Sequence, residues 1–541
     1  MSYVQVWKDH PNLNENEINK LKKDGLEVFS DMDKLCKQPF EKIPKSYYMY
    51  LKYAGLTVQK PQNLGLFMFR VKIPGGIITA RQAEYLSWLG NTYGKGILDL
   101  TSRQSVQCHW VPFQALPSIF AKLREANLTT SEAEGDTPRN IVGNPMAGLD
   151  SDELFDAGDI IRKVDNYLQD NRDYSNLPRK FKVSVSTNIW NAGNAQIQDL
   201  AFTPASKMID GQRVHGFHVY VGGGLGAVPS LGKRLNIFVL PDQVLNVVKG
   251  VLSVYRDYGY RENRKKARLK FLIKDWGIER FEEKLLEQTD LLKKAGKNEL
   301  KGWRFGIAPG VKEQHQAGFF TVGIRILAGR LRAEDLEGFA KLSQEYGRGE
   351  LRIDHSQNLM IPFVPAEKID AVKNHPLVRK YGILGEGFTD YGMCCTGNEF
   401  CNMAIANTKD VTRELLMYLD ETISLDVPVR IAVNGCPNNC GHRSIADIAL
   451  MGTRISNQDG STEEGYILSV GGSLEKGGEY THALKGKVRK SDIKPFMRNF
   501  LNFIKNEKRS RESFYHFYKR VGGEVFQQYV DDFLLKGCDI D

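Results

Sequence analysis

Apolar and polar positions alternate over Leu66 to Ile73, pause at the turn Pro74-Gly75-Gly76, take on a helical spacing, and alternate again over Ile97 to Leu100. The same order returns at Phe319 to Ile326 and Glu350 to Ile353. At an offset of 253 residues, Gly65 to Pro112 aligns without a gap on Gly318 to Pro365. Phe67/Phe320, Gly76/Gly329, Ala80/Ala333, Glu84/Glu337, Gly94/Gly347, Gln104/Gln357 and Pro112/Pro365 are identical. Further on, Ile197-Gln-Asp199-Leu-Ala201 answers Ile445-Ala-Asp447-Ile-Ala449 at 248, and Val221-Gly-Gly-Gly-Leu225 answers Val470-Gly-Gly-Ser-Leu474 at 249. The chain therefore reads as two diverged copies of one unit, with the cleft on their pseudo-twofold axis as the natural ligand site. Apolar β-rich runs (Phe181 to Ser186, Val429 to Val433) mix with helical stretches such as Pro241 to Tyr258, and the class expected is α+β. Residues 1–60 carry a charged helical pattern and 490–541 read as terminal helices.

Composition narrows the setting. The 541 residues, 41% of them apolar, are enough for several domains. No run approaches the ~20 apolar residues of a membrane span, and Met1 to His10 lacks the basic start and apolar run of a secretory signal, so the expected compartment is the cytoplasm. Thiols stay reduced there, and the eight cysteines (36, 108, 394, 395, 401, 436, 440 and 538) read as ligands and bystanders rather than disulfides. A net charge of +9, spread along the chain, suits acidic small molecules or an acidic protein partner and gives no argument for nucleic acid.

Two cysteine pairs carry the candidate chemistry: Cys395-Thr-Gly-Asn-Glu-Phe-Cys401 and Cys436-Pro-Asn-Asn-Cys440. Neither spacing is that of a zinc ribbon or of the bacterial ferredoxin run. Four thiolates satisfy a cubane cluster, and spacing alone leaves zinc open. Cys394 directly precedes Cys395 and reads as a small buried hydrophobe; Cys36, Cys108 and Cys538 read as bystanders.

The run Cys395 to Cys401 followed by Asn434-Gly-Cys-Pro-Asn-Asn-Cys-Gly441 resembles the signature of the siroheme-containing nitrite and sulfite reductases of the assimilatory, ferredoxin-dependent type. The duplication resembles theirs as well, from about residue 45 to 500. The resemblance implies a duplicated fold of three domains around a siroheme and a 4Fe-4S cluster. Cys395, Cys401, Cys436 and Cys440 would be the cluster ligands, with Cys440 also bridging to the siroheme iron. It divides the chain into an N-terminal extension (1–60), a ferredoxin-like duplicated domain (61–130 with 312–370), a first siroheme-binding α/β domain carrying the substrate cations (131–311), and a second siroheme- and cluster-binding domain with C-terminal helices (371–541).

Siroheme is a polycarboxylate and the substrate an oxyanion, so such a site needs fixed cations. By resemblance Arg70, Arg139, Lys180 and Lys182 are the substrate-facing catalytic set. Arg103, Gln104, His109, Asn140, Asn263, Arg264, Gln357, Asn358, Asn434 and Cys440 are the cofactor-binding set. Arg70 and Arg103 align with Gly323 and Ser356 at the 253 offset, so the first copy would supply the anion pocket and the second the cluster. Lys180-Phe181-Lys182 resembles the sulfite branch, where nitrite enzymes carry an asparagine at the last position, and His109 leans the same way. The expected reaction is six-electron reduction of sulfite to sulfide, with nitrite to ammonia as the alternative and a non-catalytic metal-binding redox sensor as a remote one.

The basic run Arg261 to Lys270 reads as a solvated helix face, or else as cofactor clamps or a dock for ferredoxin. Val221-Gly-Gly-Gly-Leu225-Gly226 lacks the dinucleotide order and reads as a tight turn near the cofactor. With neither nucleotide nor flavin fingerprint, electrons would come from an acidic ferredoxin, or from a separate flavoprotein, to a monomeric enzyme.

Overall fold

A computed structural model of the chain describes residues 12–290, 292–305, 310–476 and 478–536; Cys538 lies outside them. The two copies exchange strands. Strand Leu66–Val71 pairs antiparallel with Val106–Pro112, which pairs with Ile97–Leu100, and the sheet is completed by Arg330–Arg332 from the second copy. In the mirror sheet Phe319–Ile324, Leu359–Pro365 and Glu350–Ile353 accept Ile77–Thr79 from the first. The registers are reciprocal: Leu331 sits opposite Leu98, and Ile78 opposite Leu351. Because each copy completes its partner's sheet edge, the two half-sheets fold as one body around a shared apolar core that includes Phe67, Phe69, Leu98, Val322, Phe339 and Leu351.

Two buried glutamines pin this exchange. Gln104 Nε2 donates to Gly75 O (3.1 Å) and Ile353 O (3.0 Å), while its Oε1 accepts from Gly143 N. Gln357 Nε2 donates to Leu100 O (2.9 Å), and its Oε1 accepts from Cys394 N. Both residues have positive φ, 55° and 71°, a backbone that the surrounding hydrogen bonds must over-determine.

Each copy then builds a mixed sheet. In the first, Val142–Gly143, Val183–Val185 and Leu200–Ile209 run parallel, and the last turns back antiparallel into Gln212–Val221. In the second, Met393–Cys394, Ile431–Asn434 and Ile448–Ser456 do the same before Thr462–Val470. The helix Val244–Tyr258 covers the first sheet, and Lys409–Thr422 with Ile493–Glu507 covers the second. A small core of Ile197, Leu225, Trp303, Phe305, Ile445 and Leu474 joins the two around the pseudo-twofold. The expected strands and helices recur with shifts of a few residues. Phe181 to Ser186 narrows to Val183–Val185, because Lys180 and Lys182 lead into the sheet as extended chain. No helix among the described residues is long and apolar enough to cross a membrane.

Candidate active site

The strand ends of the second sheet present the cysteines. Cys395 follows strand Met393–Cys394, and Cys436 and Cys440 lie on the loop after Ile431–Asn434. That loop is closed by Asn434, whose Oδ1 accepts from Gly441 N (2.8 Å), and by Asn439, whose Oδ1 accepts from Ser444 N (3.2 Å). A side chain at 441 would have no room, because its Cβ would lie 2.8 Å from Cys395 N. The first copy covers the loops: Ser102 Oγ donates to Cys440 O (3.1 Å) and Asn402 Nδ2 to Val58 O (2.6 Å).

Backbone amides aim at the sulfurs. Cys395 Sγ accepts from Gly435 N at 3.3 Å and also from Gly397 N, and the Cys436 sulfur accepts from Asn438 N. Burial, followed by the neighbouring Cys440, pushes the Cys395 thiol up to about 12, and burial with Cys440 and Cys401 raises Cys436. Cys440 thus acts on both Cys395 and Cys436, and Cys401 on Cys436. Among the described residues, however, no three His, Cys, Asp or Glu side chains stand close enough to hold a single metal ion. Cys36, Cys108 and Cys394 are buried with their thiols on the carbonyls of Phe113, Leu89 and Ala328.

Cations crowd the side facing Cys440. Arg70, Arg179 and Arg268 act on the group Arg103, Arg139, Lys180 and Lys182, and Cys440 acts on Lys180. The carboxylates among them are spoken for. Glu134 pairs with Arg70 (3.1 Å), Asp136 with Lys20, Arg179 and Arg264, and Asp199 with Arg268. Among the described residues no carboxylate lies within ion-pair distance of Arg103, Arg139, Lys180 or Lys182. Arg139 donates to the carbonyls of Gly135 and Ala133, and Arg103 to Gln198 Oε1, Asn140 O and Val183 O, with its Nε unpartnered. Burial, then like charge, lowers all four: Arg103 and Arg139 to about 9, Lys180 to about 7, and Lys182 well below 10.5. Excess positive charge in a sheltered cleft, with the Arg103 Nε unpartnered, can accept anionic groups.

The other residues singled out in the sequence fall into three places. Asn140 and Asn434 line the cleft region with one atom each unpartnered, Asn140 Oδ1 and Asn434 Nδ2. Gln104, Gln357 and Asn358 are engaged by backbone; Asn358 Oδ1 accepts from Ile326 N (2.9 Å). His109 stacks on Phe400 (3.9 Å between centroids) with Nε2 3.3 Å from Asp99, and burial, opposed by Asp99, lowers its pKa. Asp99 also pairs with Arg330 and Lys409 beside the Cys401 loop. The run Arg261 to Lys270 departs from a solvated face. Arg261 pairs with Glu17, Arg264 is bidentate on Asp136 (2.6 and 2.9 Å), Arg268 is bidentate on Asp199, and Lys270 is buried against Leu225 O. Asn263 is exposed and caps the turn through Lys265 N. Sequence reasoning missed Arg268 and the buried His442, whose ring feels Lys182 and Arg103. The only hint of the first was that Asp199 and Asp447 recur in both copies.

Comparison with known proteins bears on this geometry. Residues 134–292 and 392–535 match the nitrite and sulphite reductase 4Fe-4S domain, and 58–126 and 312–377 match the nitrite/sulfite reductase ferredoxin-like half domain. The chain is 35% identical over 472 residues to a ferredoxin-nitrite reductase of Synechococcus elongatus, covering 85% of this chain and 91% of that one. It is 33% identical over 522 residues to the chloroplastic ferredoxin-nitrite reductase of Oryza sativa, covering 92% and 86%. The solved Mycobacterium tuberculosis NirA protein superposes with a TM-score of 0.90 at 29% identity, covering 96% of this chain and 98% of that one.

Proposed function

The chain belongs to the nitrite and sulphite reductase family, and from that premise we propose that it reduces nitrite to ammonia with electrons from ferredoxin, at a siroheme coupled to a 4Fe-4S cluster. The observation that carries the site is the set of four cations without carboxylate partners beside Cys440. The choice of nitrite and of ferredoxin rests on the relatives, which are ferredoxin-nitrite reductases. Sulfite, the anion preferred from the sequence, draws no support from those names and is kept as the second reading because Lys182 adds an ammonium suited to a larger, doubly charged anion.

Cys395, Cys401, Cys436 and Cys440 would hold the cluster. Arg103 and its neighbouring donors would take the siroheme carboxylates. When bound, the coupled pair supplies single-electron transfers and an open coordination position for the anion. The chain's own part is electrostatic and protonic. Six electrons and eight protons turn nitrite into ammonium and two waters, so oxygens leave with protons. Arg70, Arg139, Lys180 and Lys182 would hold the departing oxygens. Lys180, lowered to about 7, is poised to give up a proton and recover it from solvent near neutral pH. Steady-state turnover of the loaded enzyme with reduced ferredoxin, nitrite and sulfite side by side tests this reading. A higher kcat/KM for nitrite supports it; a clear sulfite preference replaces it with the second reading; turnover of neither overturns both.

A further inference from the structure

The two copies hold a basic residue at the same point and use it differently. Lys182 and Arg430 are 248 residues apart, like Asp199 and Asp447. Each donates its backbone amide to the aspartate at 2.9 Å, Lys182 to Asp199 Oδ2 and Arg430 to Asp447 Oδ2. Each offers its carbonyl to the residue after that aspartate, Leu200 at 3.1 Å and Ile448 at 3.0 Å. The backbones are therefore equivalent hydrogen bond for hydrogen bond, and the side chains are not.

In the second copy Arg430 folds back on its own aspartate, Nε to Oδ2 at 2.8 Å and Nη2 to Oδ1 at 2.6 Å, and lies over the Trp303 ring at 4.3 Å. In the first copy both oxygens of Asp199 are taken instead by Arg268, Nε to Oδ1 at 3.0 Å and Nη2 to Oδ2 at 2.7 Å. Arg268 is held there by close packing, since a Cβ on Gly224 would lie 2.8 Å from its Nη2. Asp199 is the carboxylate that acts on Lys182, whose other charged neighbours are Arg103, Lys180 and Arg268. A bidentate arginine holds a carboxylate in a geometry that a lysine does not displace.

We propose that Arg268 is a positioning residue for the anion site: by occupying both oxygens of Asp199 it denies Lys182 the partner that Arg430 uses, and so leaves the Lys182 ammonium to the substrate anion. This rests on the reading that the cleft binds nitrite or sulfite. It makes the pairing of Asp199 a determinant of anion affinity although neither Asp199 nor Arg268 need touch the anion.

The test is a cycle on the loaded enzyme: Arg268→Met, Arg268→Lys, and Arg268→Met with Asp199→Asn. The readouts are the dissociation constants of nitrite and of sulfite from the shift of the visible spectrum, KM against kcat, and the crystal structure of Arg268→Met. Freed, Asp199 should capture Lys182, weakening anion binding and lowering kcat/KM roughly tenfold, through KM and, because Lys182 would also hold a departing oxygen, through kcat. Arg268→Lys should recover part of the loss. The double variant should recover most of it, because a neutral carboxamide at position 199 still accepts the backbone amide but no longer attracts the ammonium. Unchanged anion affinity in Arg268→Met, or a double variant as weak as the single, overturns the proposal. Should Arg268→Met not accumulate, Arg268→Gln carries the same expectation. If the wild type binds neither anion, the functional reading fails on its own, and the crystal structure still decides this one: Lys182 Nζ on Asp199 supports it, and Lys182 Nζ elsewhere overturns it.

Discussion

Asn188 and Cys436 stand at the same point of the two copies, and the side chain of each takes the amide hydrogen two residues on: Asn188 Oδ1 from Trp190 N at 2.7 Å, the Cys436 sulfur from Asn438 N. The pairing of strands extends the match. Val142 lies beside Ser184 as Met393 lies beside Ala432, which sets Asn144 against Cys395 and Asp150 against Cys401. Asn144 Oδ1 likewise accepts from Met146 N (3.0 Å), as Cys395 does from Gly397 N. Where the second copy offers thiols, the first has closed a polar cage in which Asp150 accepts from Asn144 (3.1 Å), Asn188 (2.7 Å) and Lys312 (2.6 Å).

The two loop systems should therefore fail in different ways. Asp150→Ala takes from the half-buried Lys312 the nearer of its two carboxylates and from Asn144 and Asn188 an acceptor, and should lower the unfolding free energy by about 1–3 kcal/mol while iron per chain stays unchanged. Cys436→Ser should lose the iron. Thermal unfolding and iron analysis separate the two, and iron loss in Asp150→Ala would contradict the equivalence.

The glutamine clamps give a second expectation. Gln104→Ala removes the partner of Gly75 O, Ile353 O and Gly143 N together, a cost of about 2–4 kcal/mol for buried groups left unmade. Gly76→Ala should cost at least as much, because φ is +75° and the new Cβ would fall 2.3 Å from Ile353 O. Urea unfolding of both variants checks this; values within 0.5 kcal/mol of wild type, on the order of a surface substitution, would show that the strand exchange does not depend on these contacts.

The duplication and the helices were legible because each leaves a periodic trace: a constant offset, a 3.6-residue spacing. The ion pairing was not. Arg261, Arg264 and Arg268 read as a solvated run since local sequence says nothing of Glu17, Asp136 and Asp199, which arrive from 244, 128 and 69 residues away. For the same reason Gln104 and Gln357 read as cofactor ligands. A polar residue kept in both copies signals a demand of the fold as readily as one of the ligand.

Removal of the cofactor should leave a pH-sensitive protein. Burial and like charge lower Lys180 to about 7 and Lys182 well below 10.5. For these two lysines the unfolded chain binds more protons than the folded one above pH 7, so stability rises with pH from about 7 to about 8.5, above which the raised buried thiols of Cys36 and Cys395 oppose the trend, and the lysine penalty is complete below 7. The cofactor-free protein should show a Tm that increases over this range, and sulfate or citrate should raise the Tm more at low than at high pH. In the loaded protein the carboxylates supply counter-charge and the trend should flatten. A Tm of the cofactor-free protein that falls between pH 7 and about 8.5, below the range in which the buried thiols ionise in the unfolded chain, would mean that the cleft cations are not crowded.

Lys182→Asn is the variant that bears on which anion is reduced. Lys182 and Lys180 approach the cleft from the same extended segment, and neither has a carboxylate partner among the described residues, so both ammoniums are available to one anion. Sulfite can carry two negative charges and nitrite one, so removal of one of two cations costs the former more; a charge-assisted hydrogen bond is worth about 1.5–3 kcal/mol, roughly ten- to a hundredfold in binding. The loss of kcat/KM should therefore be several-fold larger for sulfite than for nitrite. Equal losses for the two anions would mean that Lys182 serves the cofactor rather than the substrate, and would remove the case for sulfite that its position makes.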